Sequence, residues 1–229
     1  TTGGMPHGIG GVPNDLTLQD AIVLERRVQA VRAAVPVSVS TDIVSYRERG
    51  RSSRVVGVTS EFQQLQRLDM DSGSFLPESE LDRGAAVVVL GHRVAQELFD
   101  NANPLGATVR IGSWRMRVIG VLQERGQQLG MNIDDVALIP VASGMRMANK
   151  SSVNRIMLDL YPKSDSKPVI AQVKKILIDR HDEEDFTCIS QDAVLASLSS
   201  ILGILTLVVA GIASISLGVA GIGIMNVML

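Results

Sequence analysis

Apolar positions along this chain follow three rhythms. In "LTLQDAIVLERRVQAV" the positions Leu18, Ala21, Ile22 and Glu25 mark a 3.6-residue period, and Thr17 and Asp20 have the T-x-x-D spacing of a capping box, so a helix is predicted there. In "VPVSVSTDIVSY" apolar and polar positions alternate as in a half-buried strand. "RERGRSS" then makes a turn and "RVVGVTS" returns, which predicts a β-hairpin. From Ile201 onward the alternation stops: "ILGILTLVVAGIASISLGVAGIGIMNVML" is uncharged and dominated by apolar and small residues. A bilayer core takes about 20 such residues as helix, so this run predicts a transmembrane helix.

The remaining elements are mixed. "SEFQQLQRL" predicts a short helix and "DMDSGSFLPESELDRG" a loop. "AAVVVLG" reads as a buried strand feeding the helix "HRVAQELF". "GATVRIG" and "RMRVIGVLQE" are two strands joined by a tight turn near Ser113 and Trp114, and "IDDVALIPV" is a strand leading into "ASGMRMAN". "VNRIMLDLY" is a strand, "KPVIAQVKKILIDRH" an amphipathic helix with Pro168 in its first turn, and "FTCIS" a short strand. Strands and helices without regular alternation make the class α+β.

Charge sharpens the division of the chain. After Asp192 no charged residue occurs in the remaining 37 positions. Ser190 and Asp192 are capping residues, and no Pro follows, so the long helix is expected to start near Gln191 and run to Leu229. At 1.5 Å per residue it would measure about 58 Å, nearly twice a hydrocarbon core, and the excess would be a stalk. The first fourteen residues, with five Gly among the first eleven, read as a flexible linker. Elsewhere 22 basic and 24 acidic residues nearly balance and aromatics make up 3%. That balance argues against nucleic acid as a partner.

Candidate chemistry is sparse. A single cysteine, Cys188, excludes an internal disulfide framework. His7 lies in the linker, His92 at a helix start, and His181 in "DRHDEED", where a solvated helix end is expected. Asp134 and Asp135 lack the further oxygen ligands of a Ca²⁺ loop and are expected to form a turn or touch a partner. "SDSK" matches S-x-x-K, but Ser166 and Pro168 explain it as a helix start, and no K-T-G, G-x-S-x-G or phosphate loop occurs. No catalytic, cofactor-binding or metal-binding residue is assigned, and the chain is not expected to be an enzyme. Two other groups stand out. Arg47, Arg49, Arg51 and Arg54 crowd the hairpin turn, a candidate contact for a partner or a solvated tip protecting the strands. Gly211, Ser214, Gly218 and Gly221 recur at spacings of three, four and three, the small-residue stripe of a helix-packing face.

"VVGVTSEFQQLQRLDMDSGSFLPESELDRGAAVVVLGHRVAQELF" resembles the extracytoplasmic core domain of MacB-like and FtsX-like ABC-transporter permeases. "NPLGATVRIGSWRMRVIGVL" is similar to that family's next block, in which a P-x-G-x-x-V-x-I hairpin ends in V-x-G-V. "GVAGIGIMNVML" is similar to the start of its second transmembrane helix. The resemblance implies a two-lobed outer domain. A porter-like lobe would take residues 15–60 and 146–190, an inserted lobe 61–145, and stalk and membrane helix 191–229. It also implies a first transmembrane helix before Thr1, a homodimer, an ABC ATPase domain or subunit, and a periplasmic adaptor. Residues 1–190 would then lie outside the inner membrane, transmitting ATP-driven motion to export antibiotics or peptides or to extract lipoproteins. An extracytoplasmic sensor of a membrane-anchored signalling protein is the alternative, and a membrane-tethered enzyme a distant third.

Overall fold

Thr17 starts the first helix as its spacing with Asp20 predicts. In α1 (Leu18–Arg27) the Asp20 N–H donates to the Thr17 hydroxyl and the Thr17 N–H donates to the Asp20 carboxylate at 2.8 Å. Two orphan donors of the first turn are thereby satisfied reciprocally. The structure is a computed structural model. It describes residues 16–181, apart from 79–80, 82–83, 101, 126, 129–130 and 163, together with 187–190, 202–214 and 216–217.

β1 (Val31–Tyr46) and β2 (Arg49–Val58) form the predicted hairpin, followed by α2 (Phe62–Leu65) and β3 (Met70–Gly73). Then come β4 (Val87–Leu90), α3 (His92–Phe99), β5 (Thr108–Ile111) and β6 (Trp114–Leu122). The small β7 (Gln127–Gln128) and β8 (Met131–Asn132) pair only with each other. β9 (Val136–Pro140), α4 (Val141–Met147), β10 (Arg155–Leu160) and α5 (Ser166–His181) complete the order. The hairpin turn is tighter than the sequence suggests. Tyr46 pairs with Arg49, so only Arg47 and Glu48 turn, and Arg47 has φ 54°.

The sheet closes on itself. β1 pairs with β2, β2 runs parallel to β9, β9 pairs with β4, β4 with β6, β6 with β5, and β5 returns to β1 through Val44↔Ile111 and Ser45↔Arg110. Six strands thus form a small barrel. Each of them sends buried residues to one cluster, among them Val44, Val55, Leu90, Ile111, Met116 and Ile139, and α3 adds Val94, Leu98 and Phe99. Inward and outward positions alternate along the strands, apart from an irregularity on β6 between Val118 and Gly120, so a second cluster forms on the other face. There Val37, Val56, Val89 and Leu138 meet Phe62, Phe75 and Leu76. Each fully buried Val, Leu or Phe contributes about 1.5–3 kcal/mol.

Two long-range contacts join the ends of the sequence. β10 pairs antiparallel with the first half of β1, Val31↔Leu160 to Val37↔Arg155, so the late strand does meet the segment before Ser60. Gly57 on β2 and Gly144 on α4 lie against each other. A Cβ on Gly57 would stand 3.1 Å from the Val141 Cα and 3.3 Å from the Gly144 Cα, so a side chain at either position would force strand and helix apart.

The chain divides into two compact units, Thr1–Ser164 with Lys175–Asp185, and Asp165–Lys174 with Phe186–Leu229. In the second, the Asp165 carboxylate accepts the Lys167 N–H at 3.1 Å and so caps α5, a role expected of Ser166. Residues 202–214 are helical, with the Thr206 hydroxyl donating to Leu202 O and Ser214 to Ala210 O. Among the described residues no helix is long and apolar enough to cross a membrane. The expected helix start near Gln191 and the end of the apolar run lie outside the described residues. Two expectations are corrected. Residues 187–190 form no strand, and β3 arises inside the stretch read as a loop because Met70 and Gly73 pair with Leu122 and Gly120.

His181 is the third correction. It is buried, and its Nε2 lies 3.2 Å from Asp20 Oδ2, while Arg180 Nε donates to Asp20 Oδ1 at 2.7 Å. Asp20, in the first turn of α1 and 1% exposed, therefore clasps the last turn of α5 across 160 residues. The Asp20 carboxylate at the N-terminus of α1 and the Arg180 guanidinium at the C-terminus of α5 each complement the local backbone dipole. Burial by itself raises the Asp20 carboxyl. The Thr17 N–H, Arg180, the Thr17 hydroxyl and His181 outweigh it and hold the group below its ordinary value.

Removing one partner of such a buried pair leaves the other uncompensated, so Asp20→Ala is expected to lower stability by about 3 kcal/mol in urea denaturation. A carboxylate depressed in the folded state contributes stability that is present above its unfolded pKa, near 3.9, and is lost as pH falls through the folded value. The wild-type urea midpoint should therefore drop in acid below about pH 4, and Asp20→Asn should remove that part of the drop.

Candidate functional site

The four hairpin arginines leave β1 and β2 in different directions. Arg47 sits in the turn with its guanidinium 5.3 Å from the centre of the Tyr46 ring, and Tyr46 stacks on Phe99 at 4.2 Å. Arg49 reaches Asp100 at 3.4 Å, just past the end of α3. Arg51 points towards α3 and forms ion pairs with Glu97 and with Asp135. Arg54 is exposed on the opposite face. Alternation along β2 causes this split, since Arg51 shares a face with the barrel interior and Arg54 does not.

Asp134 and Asp135 form a turn just before β9, as expected, and both carboxylates are engaged there. Asp135 receives Arg51, Arg93 at 3.3 Å and the Asn132 amide. Asp134 is 6% exposed, and its carboxylate accepts the Arg125 N–H at 3.1 Å. Its carbonyl accepts the Arg93 and Val94 N–H groups at 3.1 and 3.3 Å, so a backbone carbonyl caps the first turn of α3. This close approach needs Gly91, because a Cβ there would stand 2.5 Å from Asp134 O. The cluster ties the hairpin, α3 and the start of β9 together at one end of the barrel.

Nothing in this arrangement supplies a reactive group. His92 is half-buried as the first residue of α3, a cap-region position as expected. The His181–Asp20 contact has the form of an oriented base, yet both Asp20 oxygens are occupied by Thr17, Arg180 and His181. Among the described residues no three His, Cys, Asp or Glu side chains are placed to hold a metal ion. Of the small-residue stripe, Gly211 and Ser214 fall in the helical stretch 202–214, and a Cβ on Gly211 would meet nothing within 4 Å. Gly218, Gly221 and His7 lie outside the described residues.

Comparison with known proteins agrees on one family. The model for the MacB-like periplasmic core domain matches residues 2–176. The chain is 29% identical over 226 residues to the macrolide export ATP-binding/permease protein MacB of Bdellovibrio bacteriovorus, covering 96% of this chain and 35% of that protein. It is 32% identical over 223 residues to the MacB of Hyphomonas neptunium, covering 96% and 34%. The chain thus spans about a third of the length of these relatives. In fold it matches the crystal structure of the periplasmic region of MacB from Actinobacillus actinomycetemcomitans, with a TM-score of 0.71 and 21% identity over 81% of this chain and 83% of that one. The extracellular domain of the noncanonic ABC-type transporter YknZ from Gram-positive bacteria matches with a TM-score of 0.66 and 21% identity, over 76% and 88%.

The hairpin arginines should separate energetically. Arg51→Ala is expected to cost about 1–3 kcal/mol, because it strips the half-buried Asp135 of a charged hydrogen-bond partner. Arg54→Ala should stay within about 0.5 kcal/mol of wild type. A double-mutant cycle of Arg51→Ala with Asp135→Ala should give a coupling energy of at least about 0.5 kcal/mol. Equal stability of the two single variants in urea would refute this division of roles.

Proposed function

This chain belongs to the MacB-like periplasmic core domain family, and from that premise we propose that it is the extracytoplasmic part of an ABC-transporter permease. The single observation that carries the proposal is the family match over residues 2–176, followed in sequence by a stretch without charge after Asp192. In this reading residues 1–190 lie outside the inner membrane, and residues 191–229 form a stalk and a membrane helix. The domain carries no chemistry of its own. ATP is hydrolysed by a nucleotide-binding domain or subunit on the cytoplasmic side. Motion reaches the outer domain through the stalk and drives export of antibiotics or peptides, or extraction of lipoproteins.

The division into lobes belongs to the same proposal. The return of β10 to β1 suits a lobe drawn from residues 15–60 and 146–190, and the inserted 61–145 would share the barrel with it, since β2 pairs with β9 and β1 with β5. The clasp of Asp20 with Arg180 and His181 suits it as well, since it fixes α1, near the start of that lobe, to α5, near its end. A load delivered at either terminus would then be shared by both. The proposed assembly is a homodimer with an ATPase and a periplasmic adaptor. Helix packing would use Gly211, Ser214, Gly218 and Gly221, because helices in lipid associate through close backbone contact over small residues. Arg47, Arg49, Arg51 and Arg54 were the sequence candidates for a partner contact. Arg54, the one turned away from α3, is best suited to that role.

Rigid transmission can be broken on purpose. Inserting a flexible Gly-Ser segment after Ser190 in the complete permease should leave ATP hydrolysis in place and abolish export or extraction. Undiminished transport by the insertion variant would sink the relay. For the packing stripe, Gly218→Leu should reduce assembly of the complete permease on blue-native gels, whereas the neighbouring Leu217→Ile should not. Equal dimer yield for both would leave the stripe without a role.

A further inference from the structure

The outside of the barrel is covered unevenly. On the arc built from β9, β4 and the first half of β1, outward residues such as Val37, Val89 and Leu138 are buried under α2 and the segment carrying Phe75 and Leu76. The arc that runs from the start of β2 across the end of β1 to β5 and β6 has no such cover. There Arg54, Arg110, Arg115 and Arg117 are all exposed, with Ile43 58% exposed among them. Register places them on one face. Ser45 on β1 lies opposite Arg110 on β5, Arg110 lies opposite Arg115 on β6, Thr108 lies opposite Arg117, and Thr41 lies opposite Arg54.

This face has one sign. The outward positions from Thr41 to Ser45, Gly50 to Arg54, Thr108 to Arg110 and Arg115 to Arg117 hold no carboxylate, although Asp42, at an inward position of β1, brings one to the rim beside Gly112, where it accepts the Ile43 N–H at 2.7 Å. None of the four arginines forms an ion pair among the described residues, although the chain as a whole carries a net charge of −2. Arg110 spends one N–H on Gly112 O at 2.8 Å. Arginines directly opposite each other on paired strands repel, so the pair Arg110 and Arg115 works against the fold unless an anionic group lies across it.

We propose that this bare arc docks an acidic segment of a partner protein. Planar guanidinium groups recognise carboxylates in pairs, and the exposed Ser52 and Thr108 on the same face add hydroxyl donors, whereas the Ser45 hydroxyl is spent on Arg110 O. Ile43 gives the centre of the face an apolar contact. A membrane surface fits less well, because interfacial binding relies on a broad apolar face beside the cations, and among the described residues of this arc only Ile43 and, at the start of β6, the 39% exposed Trp114 offer large apolar side chains. The proposal uses the barrel alone and does not depend on the permease reading.

The test uses the full chain in a mild non-ionic detergent, titrated with a fluorescein-labelled oligoglutamate peptide and followed by anisotropy. Saturable binding is expected, weakened about tenfold by the combined Arg110→Gln, Arg115→Gln and Arg117→Gln variant and by added salt. Arg26→Gln and Arg27→Gln on α1 should leave it unchanged. Arg115→Gln alone should raise the thermal midpoint by about 2 °C, since it removes the opposed like charges. No peptide binding, or binding untouched by the triple variant, overturns the proposal. Capture by phosphatidylglycerol vesicles in place of the peptide also overturns it, and a lower midpoint for Arg115→Gln would assign the arginines to the fold.

Discussion

The short pairing of β5 with β1, two residue pairs at Val44↔Ile111 and Ser45↔Arg110, is the constraint on which the rest of the domain depends. Without it the strands would form an open sheet with β5 at an edge and one face of Val109, Ile111 and Met116 uncovered. With it they close, and the inward residues of six strands share one core with α3. Closure also pairs β5 and the far half of β1, which would otherwise be edges, and leaves β10 and β3 as the outer strands of the sheet. β1 can serve β10, β2 and β5 because it is 16 residues long.

Closure decides which charges face inward and which face out. Once Val44 and Val55 point to the core, Arg51 must follow them and meet Glu97 and Asp135, while Arg54 must point away. The same alternation puts Arg110, Arg115 and Arg117 outside. A paired set at the barrel end and an unpaired set on its flank therefore come from one geometrical rule. The two sets bear on function differently. The paired one fixes the hairpin to α3, and the unpaired one is available to a partner.

A second constraint acts at the ends of the domain. β10 against β1, Gly57 against Gly144, and Asp20 against Arg180 and His181 all join early sequence to late sequence. Such contacts make α1, β1, α4, β10 and the last turn of α5 one connected set, so a displacement of early sequence is carried directly to late sequence.

Much of this was legible in the sequence because it is local. The capping box of Thr17 and Asp20, the helix His92–Phe99, the hairpin of Thr108–Ile111 with Trp114–Leu122, and the α+β class all follow from periods, caps and turn residues a few positions apart. The blocks resembling the permease family were readable for the same reason, being contiguous. What the sequence could not state is which distant residues meet. Nothing in "DRHDEED" indicates that His181 and Arg180 turn inward onto Asp20, because charge density alone reads as solvation and the partner lies 160 residues away. The strand at Met70–Gly73 has no period of its own and exists because β6 supplies its hydrogen bonds. Closure of the barrel, the inward path of Arg51 and the bare arginine arc likewise belong to tertiary structure, where register, and not composition, decides which side of a strand meets water.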